Sequence, residues 1–191
     1  MIIIRNRRCN IAKLAQQYPY AQICDLTSKS PDSTLVALSP FFPHGNIPIP
    51  GIPDVYAQSV EGIWQGLKVF AKSGIDLHCF NNKSMKNMKR TVRKYGMPLG
   101  HAQDLEQQKP LLDYAQARKQ IYLPSYLWVL KNASQAQSAL KLLRNYLDAG
   151  YDLTFLDYNT NEDPDNLAKP LSHACLVKLY LEGHYPLAKN S

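Results

Sequence analysis

The sequence predicts a mainly α fold of the α+β class: one helical domain over residues 1–191 with a few short strands, including a small β-α-β element at the start. Three observations lead there. Several long stretches carry apolar residues at helical spacing, the strand-like apolar runs are only four to six residues long, and the first 26 residues alternate strand, helix and strand composition.

Taken in order, 2–5 and 21–26 have the composition of short strands, and 10–17 between them is helical and stops before Pro19. Pro31 opens a turn, and 34–38 reads as extended chain. Pro40, Pro43, Pro48, Pro50 and Pro53 then exclude a continuous helix or a central strand as far as about residue 55. Phe41, Phe42, Ile47, Ile49 and Ile52 give that stretch apolar anchors, so it reads as an ordered loop and not a linker. Ser59 caps a helix predicted over 59–72, with Gly74 to end it. Further helices are predicted over 84–94, 111–122, 125–132 and 134–147, with Pro124 separating the middle pair and Gly150 stopping the last. Residues 151–156 form a strand, Asp157 opens a polar loop, and Ser172 caps a final helix that ends near Gly183.

A hydrophobic content of 45% in 191 residues is enough for one well-buried core. The 22 lysines and arginines exceed the 15 acidic residues and give a net charge of +7, which favours nucleotides, nucleic acid or phosphorylated sugars as partners. Cys9, Cys24, Cys79 and Cys175 are scattered, with neither disulfide nor zinc spacing, and suit a reducing cytoplasm. Met1-Ile-Ile-Ile4 is too short for a membrane span, so a soluble chain with no membrane partner is expected. The histidines lack metal-ligand spacing, and neither a metal nor a cofactor is expected.

The most informative stretch joins Ser39-Pro-Phe-Phe-Pro-His-Gly45 to Gln58-Ser-Val-Glu-Gly-Ile-Trp-Gln-Gly-Leu-Lys-Val-Phe70. At 100° per residue Glu61, Gln65 and Lys68 form a polar stripe beside the apolar face of Val60, Ile63, Trp64, Leu67, Phe70 and Ala71. Glu61 is either a residue favoured by the helix dipole or an acid–base group whose proton affinity is raised beside Trp64. Asp157, at a strand end, either makes turn bonds with its own loop or faces a site. Ser172 and His173 begin a helix whose N–H groups suit a cap or an anion. Lys83, Lys86, Lys89, Arg90, Arg93 and Lys94 are six bases without an acid among residues 83–94, and 86, 89, 90 and 93 share one face of the predicted helix. They read as a solvated surface or as a phosphate clamp to which Arg118 adds.

Ser-Pro-Phe followed by Ser-Val-Glu-x-x-x-Gln-x-x-Lys-x-Phe resembles the signature of the NADAR (YbiA-like) superfamily. The likeness extends to an uncharacterised branch through Leu26-Thr-Ser28, Tyr114-Ala-Gln-Ala-Arg118, Ile121-Tyr-Leu-Pro-Ser-Tyr126, Leu156-Asp-Tyr-Asn-Thr-Asn161 and Pro170-Leu-Ser-His-Ala174. Two places differ from the better-known pattern: Gly62 stands where His usually follows the Glu, and Tyr158 to Asn161 occupies the region of a Trp-Gly-x-Gly segment.

The resemblance implies a mainly helical YbiA-like fold and an N-glycosidase that cleaves a ribose–base C–N bond in a nucleotide or ADP-ribose-containing substrate. Glu61 is then the acid or base and Asp157 its electrostatic or water-positioning partner, by analogy with paired-carboxylate glycosidases. Phe41, Phe42 and Trp64 would meet the base, and Gln65, His44 and His173 its polar groups or the ribose. Lys68, Lys89, Arg90 and Arg118 would meet phosphate. The rival readings are a module that binds ADP-ribose-like ligands or nucleic acid without catalysis, and an assembly protein that only retains the fold.

Overall fold

A computed structural model of the chain describes residues 1–186 and has a mixed α+β fold. Strand β1 (Ile2–Asn6), helix α1 (Ile11–Gln17) and strand β2 (Ala21–Asp25) form the expected opening element. Asn10 caps α1 by accepting from the Lys13 N–H, and the helix stops at Tyr18, one residue before proline. Residues Leu35–Leu38 curl into a 3-10 helix where extended chain is predicted. The cause is Asp32, whose carboxylate accepts from the Thr34 and Leu35 N–H groups at 2.7 and 2.9 Å and bends the backbone.

The proline-rich loop yields only two short strands, β3 (Ile47–Pro48) and β4 (Tyr56–Ala57). Helix α2 (Val60–Gly66) is capped by Ser59 as predicted, but it ends six residues early. The Gly66 and Leu67 carbonyls accept from Asp76 and Ala102 instead of from the next helical turn, and strand β5 (Lys68–Phe70) begins at once. Helix α3 (Leu77–Phe80) follows. The helix predicted over 84–94 is corrected to one turn, α4 (Val92–Tyr95). Met85 and Asn87 sit at φ +58° and +59°, which no α-helix admits, and Asn82 and Ser84 hold the loop through side-chain bonds to its backbone. Residues 86, 89 and 90 therefore share no helix face.

Strand β6 (Pro98–His101) leads to α5 (Tyr114–Ala117), a π turn (Arg118–Tyr122) and α6 (Leu123–Asn132), a helical path not interrupted by Pro124. Proline cannot donate to the preceding turn, and the chain accommodates this by widening just before it: the Leu123 N–H reaches back five residues to the Arg118 carbonyl. Helix α7 (Ser134–Asp148), strand β7 (Asp152–Asp157) and helix α8 (His173–Leu181) complete the chain, with Ser172 capping α8.

The chain divides into two compact units. The first takes Met1–Ser39 together with Leu130–Pro186, and the second takes Pro40–Val129. The first unit is built on a parallel sheet in the order β1-β7-β2, so the two opening strands flank a strand drawn from more than 120 residues further on. Leu153, Thr154, Phe155, Leu156 and Asp157 of the central strand are all buried, as a doubly flanked parallel strand requires. Helix α7 turns Ala136, Ala139, Leu140 and Leu143 into this core, a spacing that keeps one helical face inward. The second unit pairs β3 with β4 and β5 with β6, both antiparallel, and packs α2 against α3 and the π turn. Ile47, Ile63, Leu67, Phe80, Met88 and Tyr126 are among its buried side chains.

Candidate functional site

In the second unit, Glu61 is 8% exposed in the first turn of α2. Its backbone N–H donates to the Pro40 carbonyl at 2.8 Å, which fixes the Ser-Pro-Phe-Phe loop to the helix start. Gln65, one turn on, donates its amide Nε2 to Glu61 Oε1 at 2.8 Å. The amide has one orientation, because its Oε1 accepts from the Arg90 backbone N–H at 3.0 Å and from Lys68 Nζ at 3.1 Å. The stripe read from the sequence is therefore a hydrogen-bonded chain, although Lys68 occupies the start of β5 and not the helix. Burial pulls the Lys68 ammonium below its ordinary value, with Glu61 opposing that and Arg90 and Lys89 adding to it.

Trp64, half-buried beside this chain, is the hub of an aromatic group. Its ring lies 4.0 Å from His101 and 5.7 Å edge-on from both Tyr114 and Tyr122, and Lys68 Nζ stands 5.9 Å from it. His101 is 2% exposed, and neither ring nitrogen finds a hydrogen-bond partner among the described residues. Burial, assisted by the Lys68 charge, pushes it down to about 3, so the ring is neutral at any ordinary pH. Lys89 is exposed and lies 5.4 Å from the Phe41 ring, while Phe42 packs against His44 at 4.8 Å. A hollow of about 380 Å³ in the proline-rich loop, lined by residues from Pro48 to Tyr56, includes none of these groups.

Arg90 is placed differently from the expectation. It is 5% exposed, and its guanidinium donates to the Gln65, Lys68 and Gly74 carbonyls and to Ser73 Oγ at 2.6 to 3.3 Å. Phe70 and Tyr95 lie against it at 4.7 and 5.1 Å. This is a staple that ties the chain segment 65–74 together, with both terminal nitrogens directed at protein and not at phosphate. Arg118, in the π turn, is 2% exposed and bonds the Tyr114 hydroxyl at 3.0 Å.

In the first unit, Asp157 and His173 meet at the carboxyl end of the parallel sheet. Asp157 Oδ2 accepts from Ser172 Oγ at 2.6 Å, from His173 Nδ1 at 3.0 Å and from the Ala174 N–H at 3.3 Å, while Oδ1 accepts from the Tyr158 N–H at 2.6 Å. The other ring nitrogen of His173 lies 2.8 Å from the Leu26 carbonyl, which can only accept. Both ring nitrogens thus face acceptors, an arrangement satisfied by the imidazolium. Burial opposes that charge, but Asp157 and these bonds raise His173 above its ordinary value. Burial likewise pushes Asp157 up, and the His173 charge with the bonds from His173, Ser172 and Ala174 outweighs it to hold the carboxyl at about 2. Arg7 and Asp25 pair beside them at 2.5 Å. The anion-accepting start of α8 is filled by the protein's own Asp157, and His173 has no ring nitrogen left for a ligand.

The sequence marks His101 only as a weak candidate in a glycine-flanked turn and Tyr114 and Tyr122 only as stacking or packing residues, and joins none of them to Trp64. The available signals were the i, i+4 spacing of Tyr114 and Arg118 and the Gly100-His101 pair, since a Cβ at Gly100 would meet the Leu112 carbonyl at 2.6 Å. Nothing in the sequence alone joins residues 64, 101 and 122.

The model of a family of unknown function (DUF6939) matches residues 6–177, most of the chain and parts of both units. The chain belongs to this family. No curated protein and no solved structure matches it. Membership in DUF6939 carries no activity with it, so function rests on the residues themselves.

Proposed function

We propose that the protein is an N-glycosidase of NADAR (YbiA-like) type, acting on the ribose–base C–N bond of a nucleotide or ADP-ribose-containing substrate with Glu61 as its acid–base residue. One observation carries the reading: a buried carboxylate oriented by Gln65, whose own amide is fixed by Arg90 and Lys68, beside the half-buried Trp64. Hydrolysis sends the electrons of the C–N bond to the departing base and leaves positive charge on the sugar carbon. Water adds there and gives up a proton. A carboxylate held in place stabilises that charge and takes the proton, and it can return it to the base. Trp64 and Phe41 supply aromatic faces for the base, and Lys68 and Lys89 supply cations for phosphate. Asp157 and His173 have no step in this mechanism, because their polar atoms are engaged with each other and with the start of α8.

A second reading has its own support. Glu61, Gln65 and Lys68 satisfy one another without a ligand, and a Cβ at Gly62, where the resembled enzymes carry His, would stand 2.5 Å from the Cys79 carbonyl. Both facts suit a module that binds ADP-ribose-like ligands or nucleic acid and does not turn them over. Incubation with NAD, ADP-ribose, ADP-ribosylated nucleobases and riboflavin-pathway intermediates, read by mass spectrometry, separates the two. The enzyme reading expects release of a free base, and Glu61→Gln lowers the rate by about 10²-fold or more while ligand affinity stays within a few-fold. Binding with no base released across the panel leaves the binder, and undiminished turnover in Glu61→Gln removes Glu61 from the chemistry.

A further inference from the structure

Residues 83–99 carry six basic side chains and no acidic one. Arg90 is turned inward, but Lys83, Lys86, Lys89, Arg93 and Lys94 are exposed, and none of the five forms an ion pair among the described residues. The same stretch exposes three large aliphatic side chains, Val92 at 54%, Met97 at 72% and Leu99 at 63%. Its backbone is anchored from beneath. Met88 is 2% exposed, with its sulfur 3.6 Å from Ser59 Oγ; Arg90 staples the segment to β5; and Tyr95 packs on Phe70 at 5.3 Å. Helix α4 carries the last of these anchors, Tyr95, and none of its four residues is fully buried. A folded base therefore presents unpaired cations and aliphatic side chains together.

We propose that this segment is a docking surface for an anionic lipid bilayer. Charge complementarity supplies the attraction, because each unpaired cation gains from a negative headgroup layer, and the net charge of +7 acts in the same direction. The aliphatic side chains select the bilayer over other polyanions, since a lipid surface offers an apolar layer just beneath its charges and a phosphate backbone does not. Single-stranded nucleic acid is usually met by free aromatic faces, whereas the segment's aromatic residue, Tyr95, is committed to Phe70 and Arg90. The contact is peripheral, as no helix among the described residues is long and apolar enough to cross a membrane; it departs from the expectation of no membrane partner, which rested on the lack of a spanning segment and did not weigh adhesion at a surface. It requires nothing of Glu61; Lys89 alone is shared with the proposed phosphate contacts, and the charge reversals below leave it in place.

The test is flotation of the full chain with vesicles of phosphatidylcholine alone or mixed with phosphatidylserine. Partitioning is expected to rise about tenfold or more with the anionic lipid and to fall back at high salt. Replacement of Lys83, Lys86, Arg93 and Lys94 by Glu should abolish it. Met97→Ser with Leu99→Ser should weaken vesicle binding several-fold while leaving binding to a single-stranded oligonucleotide unchanged. Equal partitioning onto neutral and anionic vesicles, or none onto either, overturns the proposal. So does oligonucleotide binding that the charge reversals remove in a protein that ignores vesicles. If the charge-reversed variant does not fold, the salt titration of the unaltered chain and the Met97/Leu99 variant decide by the same outcomes.

Discussion

His173 shows how one buried residue sets a pH window. Its folded-state pKa lies above the ordinary 6.5, so its contribution to stability is fully present below about pH 6.5 and is lost as pH rises through the folded value. Asp157, held at about 2 against an ordinary 3.8, contributes above about pH 4 and loses that contribution as pH falls toward 2. The pair thus favours folding most between about pH 4 and 6.5. A melting-temperature profile should decline on both sides, the acid limb carrying about 2 kcal/mol from Asp157. In His173→Gln the alkaline decline should disappear and the protein should lose roughly 3–5 kcal/mol, because Asp157 is left as a buried charge without its partner. An unchanged alkaline limb would reject the imidazolium. Arg90 gives a second prediction at this scale. Arg90→Ala takes the guanidinium from the Lys68 and Gly74 carbonyls and from Ser73 Oγ and should destabilise the protein by several kcal/mol in denaturant titration, on the order of 3 or more. A residue serving only phosphate would leave stability intact and weaken ligand binding.

Among the elements, α2 depends on close approach. Gly62 lies against the Cys79 backbone, and Gly66 lies against the Phe80 ring, where an added Cβ would stand 2.2 Å from Cε1. Gly62→Ala should therefore cost about 1–3 kcal/mol even though alanine favours helices. Gly150, at φ +84° with open space around it, provides the comparison: alanine there meets only backbone strain, roughly 1–2 kcal/mol, and no collision. Urea melts separate collision from conformation: Gly62→Ser should cost more than Gly62→Ala, whereas Gly150→Ser should cost about the same as Gly150→Ala, and no added loss for serine at 62 would argue against the packing account. Helix starts were legible in the sequence because a cap is a local hydrogen bond: Ser59 and Ser172 act where they are read, while Asn10, expected as the first residue of its helix, proves to be the cap of α1. The end of α2 was not legible, since residues 76 and 102 supply the partners that stop it. The helix over 84–94 failed for a related reason. Its bases suit a helix face, but Asn82, Ser84 and the inward-turned Arg90 hold the chain in a loop whose bonds reach other segments.

For the whole molecule, the central strand β7 is the point of dependence in the first unit. Strands β1 and β2 each pair with β7 and with no other strand among the described residues, so the first 39 residues hold their sheet only through residues 152–157. A chain truncated after Val129 should lose the parallel sheet and expose Ile2, Ile4 and Cys24, which far-UV circular dichroism and amide exchange of β1 and β2 would register. Protected β1 and β2 amides in that fragment would show that the opening element stands without its central strand.

Local features follow from the order of residues alone: the opening strand-helix-strand, the Ser59 and Ser172 caps, the irregular proline loop, and the polar order of Glu61, Gln65 and Lys68 along one stretch. Each depends on neighbours within a few residues, where helical phase, proline geometry and side-chain capping act directly. Tertiary structure alone decided the rest. It set β7 between β1 and β2 across the chain, turned Arg90 from a surface cation into a staple, gathered His101, Tyr114 and Tyr122 around Trp64, and neutralised the start of α8 with Asp157. The physical reason is common to all four. Burial makes an unpartnered donor, acceptor or charge costly, and which partner relieves that cost depends on what the fold brings within about 3 Å, a distance that sequence separation does not encode.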